Sequence, residues 1–191
     1  MGTDKALLPW PPQTAGGSPS KDTFLSSAIR SLLATDFVVV VAGKNEAALA
    51  PIAYANGASI VVNPDPGRGQ FSSLQLGLHE VLNHGRDAAV ITLVDRPPAK
   101  PATVQLLRDA FESASQDIWA VVPEFAGKHG HPFVAGRELI EVFLQASATA
   151  SAREIEHRYQ DHIRYVAVDD PFVSTNINTP EDYSALTGRP V

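Results

Sequence analysis

The sequence predicts an α/β fold built around a mostly parallel sheet. Two observations lead to this prediction: the chain contains short apolar, β-branched runs, and segments with helical spacing lie between them. Strands and helices that alternate along a chain are typical of βαβ units, in which each helix connects two parallel strands. The chain shows no internal repeat and no interdomain linker, so we expect one domain over residues 1–191.

The predicted elements follow in order along the chain. The apolar runs predict strands over 37–41, 59–62, 88–94, 118–122 and 163–168. Helical spacing predicts helices over 23–34, 46–55, 71–82, 102–113, 138–144 and 152–159. A further helix should start near residue 179, where Thr179 can cap it and Pro180 suits the first position. Residues 11–20 are rich in Pro, Gly and Ser and are predicted to form a loop.

Composition excludes several classes of function. The 191 residues include no cysteine, which rules out disulfides, thiolate metal sites and a cysteine nucleophile. The net charge is −6 without any basic run, so we expect no nucleic-acid partner. No apolar stretch approaches the roughly 20 residues that span a bilayer, and no signal peptide opens the chain. We therefore expect a cytoplasmic protein without a membrane partner.

The predicted strand over 88–94 ends at an acidic residue. Asp95 follows the apolar run, and Arg96, Pro97 and Pro98 then end the strand. Ligands of open α/β sheets bind beyond the carboxyl ends of the strands. A carboxylate at this place can hold a metal ion against a phosphate, although a solvated turn residue is the alternative.

A glycine-containing turn precedes the predicted helix over 71–82. Gly67, Arg68 and Gly69 come directly before it, and Ser72 and Ser73 lie near its start. A helix N-terminus offers free amide donors and a positive dipole end, and glycines let an anionic ligand approach closely. The pattern indicates a phosphate-binding turn, and an ordinary strand–turn–helix connection with a serine cap is the alternative.

Five segments, in this order, resemble one family. They are 1–9 (Met-Gly-Thr-Asp-Lys-Ala-Leu-Leu-Pro), 63–78 (Asn-Pro, then Gly-Gln-Phe-Ser-Ser-Leu and Gly-Leu), 94–97 (Val-Asp-Arg-Pro), 130–132 (Gly-His-Pro) and 176–183 (Asn-Ile-Asn-Thr-Pro-Glu-Asp-Tyr). Together they resemble the molybdenum cofactor nucleotidyltransferases, the MobA-like NTP transferases. This resemblance covers nearly the whole chain and implies a three-layer, Rossmann-like nucleotidyltransferase fold with a mostly parallel sheet.

The resemblance implies a role for individual residues. Lys5 and Asp95 would be catalytic: Lys5 would hold the leaving pyrophosphate, and Asp95 would bind Mg²⁺. Asn178 would be the second metal ligand, since an amide oxygen can ligate Mg²⁺ without bringing charge. Nucleotide- and acceptor-binding residues are implied at Gly2, Asn63, Gly69, Ser72, Ser73, His131, Asn176 and Asn178. Of these, His131 belongs to the pterin side of the site.

The implied reaction transfers CMP or GMP from a nucleoside triphosphate to the terminal phosphate of molybdopterin and releases pyrophosphate. Ser72 and Ser73 resemble the cytidylyl branch, whereas Asn176 and Asn178 resemble the guanylyl branch, and we expect CTP rather than GTP. A recipient molybdoenzyme is a further expected partner. Two alternatives stay open: a sugar-phosphate or phospholactate nucleotidyltransferase, and a non-catalytic cofactor-binding or chaperone-like module.

The first segment matches only the end of the family's opening signature. No strand precedes Met1 and Gly2 in the sequence, whereas family members begin with a strand that lies inside the sheet. We expect that the first strand is absent from this chain, that Met1 is an internal methionine, and that the chain by itself is poorly active.

The remaining polar residues are expected at the surface. Asp169 and Asp170 are predicted to form a solvated turn, and His129 to lie on a surface loop. His79, His84, His157 and His162 are also expected at surface positions.

Overall fold

The computed structural model describes residues 4–11, 21–147 and 150–187. Gly2 and most of the predicted loop over 11–20 therefore lie outside the described residues. The α-helices are α1 (Phe24–Ser31), α2 (Glu46–Ala55), α3 (Gln70–Asn83), α4 (Pro101–Glu112), α5 (Arg137–Gln145), α6 (Ala152–Arg158) and α7 (Pro180–Thr187). The strands are β1 (Val39–Ala42), β2 (Ser59–Val62), β3 (Ala88–Ile91), β4 (Ala120–Phe125), β5 (Lys128–His129), β6 (Phe133–Gly136) and β7 (Ile163–Ala167).

The strands form two sheets. In one, β1 and β2 pair in parallel. In the other, the order is β3-β6-β4-β5 with antiparallel pairing throughout, and β7 pairs in parallel with β4. The described sheets are therefore mixed, and the prediction of a mostly parallel sheet holds only for the β1–β2 and β4–β7 pairs.

A tight turn after β4 explains the antiparallel pairs. Ala126 and Gly127 both have positive φ, at 49° and 73°, and fold β5 back onto β4. The chain then enters β6, which runs between β3 and β4 and is antiparallel to both. The sequence analysis missed β6 because its apolar stretch is only four residues long and lies between Pro132 and α5.

The strand β3 is shorter and more exposed than predicted. It covers Ala88–Ile91 rather than 88–94, and its residues are half-buried or exposed rather than covered on both faces. β1 and β3 belong to different sheets, and a cleft of about 390 Å³ contacts both, at Val39 and Ala89 among others. Within the described ranges no strand precedes Val39.

The helices match their predicted positions closely. α2 has the predicted bounds, and α3, α4 and α5 each differ from theirs by one residue at both ends. α1 begins with a capping box, in which Thr23 Oγ1 accepts from Ser26 N–H at 3.1 Å and Ser26 Oγ from Thr23 N–H at 2.9 Å. α7 begins at Pro180 as predicted, where Thr179 Oγ1 accepts from the N–H of Asp182. No helix in the described ranges is long and apolar enough to cross a membrane.

One apolar cluster joins the two ends of the chain. Leu8, Trp10 and Phe24 pack with Ile177 and Tyr183, and the Tyr183 hydroxyl donates to Pro9 O at 2.9 Å. The cluster holds the 3₁₀ turn at Lys5–Leu7 beside the segment that leads into α7. Two regions that lie more than 160 residues apart in sequence are thereby brought to one place.

Candidate functional site

A cleft of about 1180 Å³ opens beyond the carboxyl end of β3. Its walls include Arg68 and Gly69 before α3, Arg96 after β3, His131 before β6 and Asn176 before α7. Ligand pockets for one drug-sized molecule span about 300 to 1,000 Å³, so this cleft has room for two ligands side by side. Of the predicted site residues, the cleft brings together Gly69, His131 and Asn176.

The N-terminus of α3 faces this cleft without a side-chain cap. Gly69 is the N-cap residue and has a φ of 94°, which an L side chain rarely adopts. Among the described residues, no side-chain cap hydrogen bond is made at the start of this 14-residue helix. Amides at a helix start, with the dipole behind them and Arg68 beside them, form a site suited to phosphate oxygens.

Asn63 ties the turn before α3 to the first turn of the helix. Its Nδ2 donates to the hydroxyl oxygens of Ser72 and Ser73, both at 2.9 Å, and its Oδ1 accepts from Asp65 N–H at 3.0 Å. Ser72 is buried and donates to Gly69 O at 2.8 Å. These bonds join Asn63 and Ser72 to the backbone of the turn that is predicted to bind phosphate, and they hold that turn against the first turn of α3. Neither serine is among the residues that line the cleft.

Asp95 carries a buried oxygen that lacks a partner. Its Oδ1 makes no hydrogen bond to any described residue. The preceding Val94 packs against two apolar clusters, one containing Ala6 and the other Ile177. Asp95 is therefore the next residue after a contact between the N-terminal turn and the segment before α7. A buried carboxylate oxygen is costly to desolvate unless a cation or a hydrogen-bond donor compensates it.

Lys5 lies close to the start of α7. Asp182 accepts backbone hydrogen bonds from Asn178 at 2.8 Å and Thr179 at 2.9 Å. These bonds, with the Asn178 bond contributing most, and the nearby Lys5 charge hold the pKa of Asp182 below its usual range. Ile177 is buried between exposed Asn176 and Asn178, and of the two asparagines only Asn176 is among the residues that line the cleft.

The residues around Asp95 suit a divalent cation held partly by its substrate. The described residues contain no group of three or more His, Asp and Glu side chains that could hold a metal ion. Mg²⁺ usually binds through one or two carboxylates together with substrate phosphates and water. The unpartnered Oδ1 of Asp95 fits this pattern, and Asn178 could supply an amide oxygen.

His131 and Gly130 contact the turn at Pro171–Ser174. His131 N–H donates to Val173 O at 2.9 Å, and Arg96 Nη1 donates to the same oxygen at 3.4 Å. The Nδ1 atom of His131 is buried and has no partner among the described residues. Burial and, to a lesser extent, the Arg96 charge lower the pKa of His131 to about 4. The ring is therefore neutral at pH 7 and can accept a hydrogen bond from a ligand.

We expect the stability of the folded protein to fall as the pH drops from 7 to 4. The His131 pKa is about 4 in the folded state and 6.5 when unfolded, so the unfolded chain binds more protons between these values. Over this window, His131 alone should lower the free energy of unfolding by about 3 kcal/mol. Urea unfolding at several pH values measures this, and His131→Gln should remove that part of the pH dependence. If the pH dependence of stability were the same in the variant, His131 would not be its source.

Replacing Gly130 with Ala should destabilise the protein by about 3 kcal/mol, because the added methyl overpacks a closed contact. A Cβ at this position would lie 1.7 Å from Val173 O. Gly67→Ala is the matched control, since its Cβ meets only the Asp65 carboxylate, at 3.3 Å. Thermal and urea unfolding should separate the two variants, and equal stability would show that Gly130 and Val173 are not in contact.

Asp170 corrects the prediction of a solvated turn. It is 0 % exposed, whereas Asp169 is exposed as predicted. Asp170 Oδ2 accepts from Lys100 N–H and Thr103 Oγ1, both at 2.8 Å, and Oδ1 accepts from Phe172 N–H at 3.2 Å. Asp170 therefore joins the start of α4 to the Pro171–Ser174 turn that carries the contacts of His131. The following proline was the local signal, since an Asp before Pro can cap a short helical turn.

The other histidines follow the prediction with one correction. His129 is exposed but lies on strand β5, where its ring stacks on Tyr165 at 3.9 Å. His162 is half-buried and stacks on Trp119, also at 3.9 Å. His79, His84 and His157 are exposed.

The fold and the cleft define an α/β protein whose cleft lies beyond the carboxyl end of a strand, the place where open α/β sheets bind their ligands. Residues 1–163 match the MobA-like NTP transferase domain, and the chain belongs to that family. This membership confirms the resemblance on which the sequence analysis relied, and it supports nucleotidyl transfer. Comparison with curated proteins gives no match.

Solved structures support the same fold. Rv0371c from Mycobacterium tuberculosis is similar with a TM-score of 0.78 and 24% identity, over 99% of this chain and 91% of that one. The complex of Rv0371c with manganese is similar with a TM-score of 0.76 and 25% identity, over 98% of this chain and 94% of that one. A cytidylyltransferase from Leptospira borgpetersenii is similar with a TM-score of 0.69 and 17% identity, over 96% of this chain and 78% of that one. These similarities bear out a nucleotidyltransferase-type α/β fold.

Proposed function

We propose that this protein is a magnesium-dependent nucleotidyltransferase that transfers CMP from CTP to the terminal phosphate of a molybdopterin-type acceptor. The observation that carries the proposal is the arrangement of the cleft. The uncapped start of α3, Arg68 and Arg96 line it, and Asp95, whose Oδ1 is unpartnered, is the residue before Arg96, although Asp95 does not itself line the cleft. Family membership supports the reaction type, whereas the nucleotide and the acceptor are proposals.

The chain's own residues would act by binding and charge neutralisation. An oxygen of the acceptor phosphate attacks the α-phosphorus of the triphosphate, and the bond from that phosphorus to the bridging oxygen of pyrophosphate breaks. Such a transfer needs positioning and offset of negative charge rather than a protein nucleophile. The α3 amides and Arg68 would hold phosphate oxygens, and Lys5 would neutralise the leaving pyrophosphate.

Asp95 would hold the divalent cation, with Asn178 as an amide ligand. When bound, the ion would offset charge on the phosphates and orient them for in-line displacement. The manganese complex of Rv0371c supports a divalent ion in this fold. The choice of Mg²⁺ rests on the donor set, in which a lone carboxylate oxygen needs substrate phosphates and water to complete the coordination.

The acceptor would occupy the side of the cleft near His131. Apolar side chains of Phe71, Leu74 and Phe133 line this region together with the neutral His131 ring. Such a lining suits a flat ring system carrying a phosphate that reaches toward Arg96. The preference for CTP rests on the Ser72–Ser73 pair, which fixes the turn before α3 through Asn63. A recipient molybdoenzyme remains a predicted partner.

The proposal is tested by pyrophosphate release with each of the four nucleoside triphosphates, in the presence of Mg²⁺ and molybdopterin. We expect release with CTP that depends on both Mg²⁺ and the acceptor. Pyrophosphate release only with a sugar phosphate or phospholactate would support nucleotidyl transfer but show that molybdopterin is not the acceptor. Tight nucleotide binding without release, for any acceptor, would favour the non-catalytic binding module, which the uncharged Asn176–Asn178 pair also fits.

A further inference from the structure

We infer that Glu156 determines acceptor specificity by accepting hydrogen bonds from neighbouring N–H groups on the edge of a flat nitrogen heterocycle. This inference rests on the proposed function, because it concerns the acceptor part of the same cleft. The mechanism described above leaves Glu156 without a role.

Glu156 lines the cleft from helix α6, together with Arg153 on the same helix. Tyr165 of β7 and His129 of β5 line the cleft as well, and their rings are stacked with centroids 3.9 Å apart and planes 13° from parallel. We call these four residues the α6 wall. It presents one carboxylate, one guanidinium and a pair of stacked rings to a ligand.

The Glu156 carboxylate is half-buried without a protein partner. It makes no hydrogen bond and no ion pair with any described residue, although Arg153 is one turn away. Burial raises the pKa of Glu156, and the Arg153 charge opposes this effect. The pKa of the Tyr165 hydroxyl is raised by burial and by the charge of Glu156, which places the carboxylate near that ring. A partly desolvated carboxylate without partners is stabilised by a ligand that donates hydrogen bonds.

The geometry of a carboxylate selects the kind of donor. Its two oxygens accept best from two parallel N–H groups, as in a guanidine-type edge where a ring N–H and an exocyclic amino group lie side by side. A flat heterocycle would also suit the aromatic surface that the α6 wall and Phe133 provide. A sugar phosphate or phospholactate has no such edge, so this wall favours a heterocyclic acceptor over the alternatives left open by the sequence.

The test compares two fluorescent probes that differ at the proposed edge. Pterin carries an amino group beside its ring N–H, and lumazine carries a carbonyl oxygen in its place. We expect the full chain to bind pterin at least about tenfold more tightly than lumazine, since a carbonyl facing the carboxylate loses one hydrogen bond and adds repulsion. Glu156→Gln should bring the ratio of the two Kd values close to one. Glu138→Gln, at an exposed position on α5, should leave it unchanged.

The outcomes separate this inference from the proposed function. Equal binding of pterin and lumazine by the unaltered protein would overturn the role of Glu156, and so would an unchanged ratio in Glu156→Gln. The binding assay needs neither nucleotide nor turnover. Discrimination without pyrophosphate release would support Glu156 and reject nucleotidyl transfer, whereas release without discrimination would support the function and reject Glu156. If the Glu156→Gln variant does not fold, the comparison of pterin with lumazine on the unaltered protein still tests the inference.

Discussion

Replacing Asp95 with Asn is expected to lower kcat for pyrophosphate release by about 10²- to 10³-fold, the usual cost of removing one electrostatic group from a transition state. Asn keeps the size of the side chain but removes the charge that would hold the cation. Because Asp95 Oδ1 makes no hydrogen bond to the described protein, the substitution should leave the folded structure intact. Steady-state kinetics at saturating Mg²⁺ and CTP measure the loss, and the unfolding temperature confirms the fold.

The control for this experiment is Asp169→Asn. Asp169 is an exposed acid, whereas Asp95 carries a buried, unpartnered oxygen, so the Asp169 variant should keep the activity of the unaltered protein. If Asp95→Asn turned over as fast as the control, Asp95 would have no place in the mechanism. A loss of activity that is present at low Mg²⁺ and absent at saturating Mg²⁺ would instead show that Asp95 contributes to metal affinity alone.

Replacing Asp170 with Ala is expected to lower the free energy of unfolding by about 3 kcal/mol. The carboxylate is 0 % exposed, and its loss would leave Lys100 N–H, Thr103 Oγ1 and Phe172 N–H without their acceptor. Hydrogen bonds to a charged group are worth more than neutral ones, and buried donors left alone carry the full cost of desolvation. Urea unfolding at pH 7 measures the change.

Asp169→Ala is the matched control for stability. The neighbouring carboxylate is exposed, and surface substitutions of this kind usually change stability by less than about 0.5 kcal/mol. A loss below about 1 kcal/mol for Asp170→Ala would contradict the three-bond geometry of the buried carboxylate.

Local sequence patterns predicted the helices well and the sheet less well. α2 and β2 have the predicted bounds because hydrophobic spacing and flanking turn residues are local properties. β6 was missed because a four-residue run after a proline looks like loop until its partners β3 and β4 are known. The direction of the pairs likewise depends on the Ala126–Gly127 turn, whose positive φ values no spacing argument anticipates.

Proximity within the site came from the family resemblance rather than from spacing. Asp95, Lys5 and Asn178 lie in three separate segments, and the packing of Val94 with the clusters of Ala6 and Ile177 brings those segments together. Gly2 lies outside the described residues, and its role stays a prediction, as do the single domain and the cytoplasmic location.

Burial of charge could not be read from the sequence. Asp170 and Glu156 each sit in an ordinary polar context along the chain. Asp170 is buried by partners 67 and 70 positions away, and Glu156 by the cleft that α6 forms with β5 and β7. Desolvation of an acid depends on such distant contacts, so the structure alone identifies these two residues.

The most direct test of the account follows the α-phosphate itself. The protein is incubated with Mg²⁺, molybdopterin and CTP whose α-phosphate carries ¹⁸O at its non-bridging oxygens, and the product is examined by ³¹P NMR and mass spectrometry. We expect a product in which the labelled phosphate is joined to the acceptor phosphate through a new P–O–P bond, with one pyrophosphate released for each product molecule. Label recovered only in unreacted CTP or in free CMP would contradict nucleotidyl transfer to a phosphate acceptor.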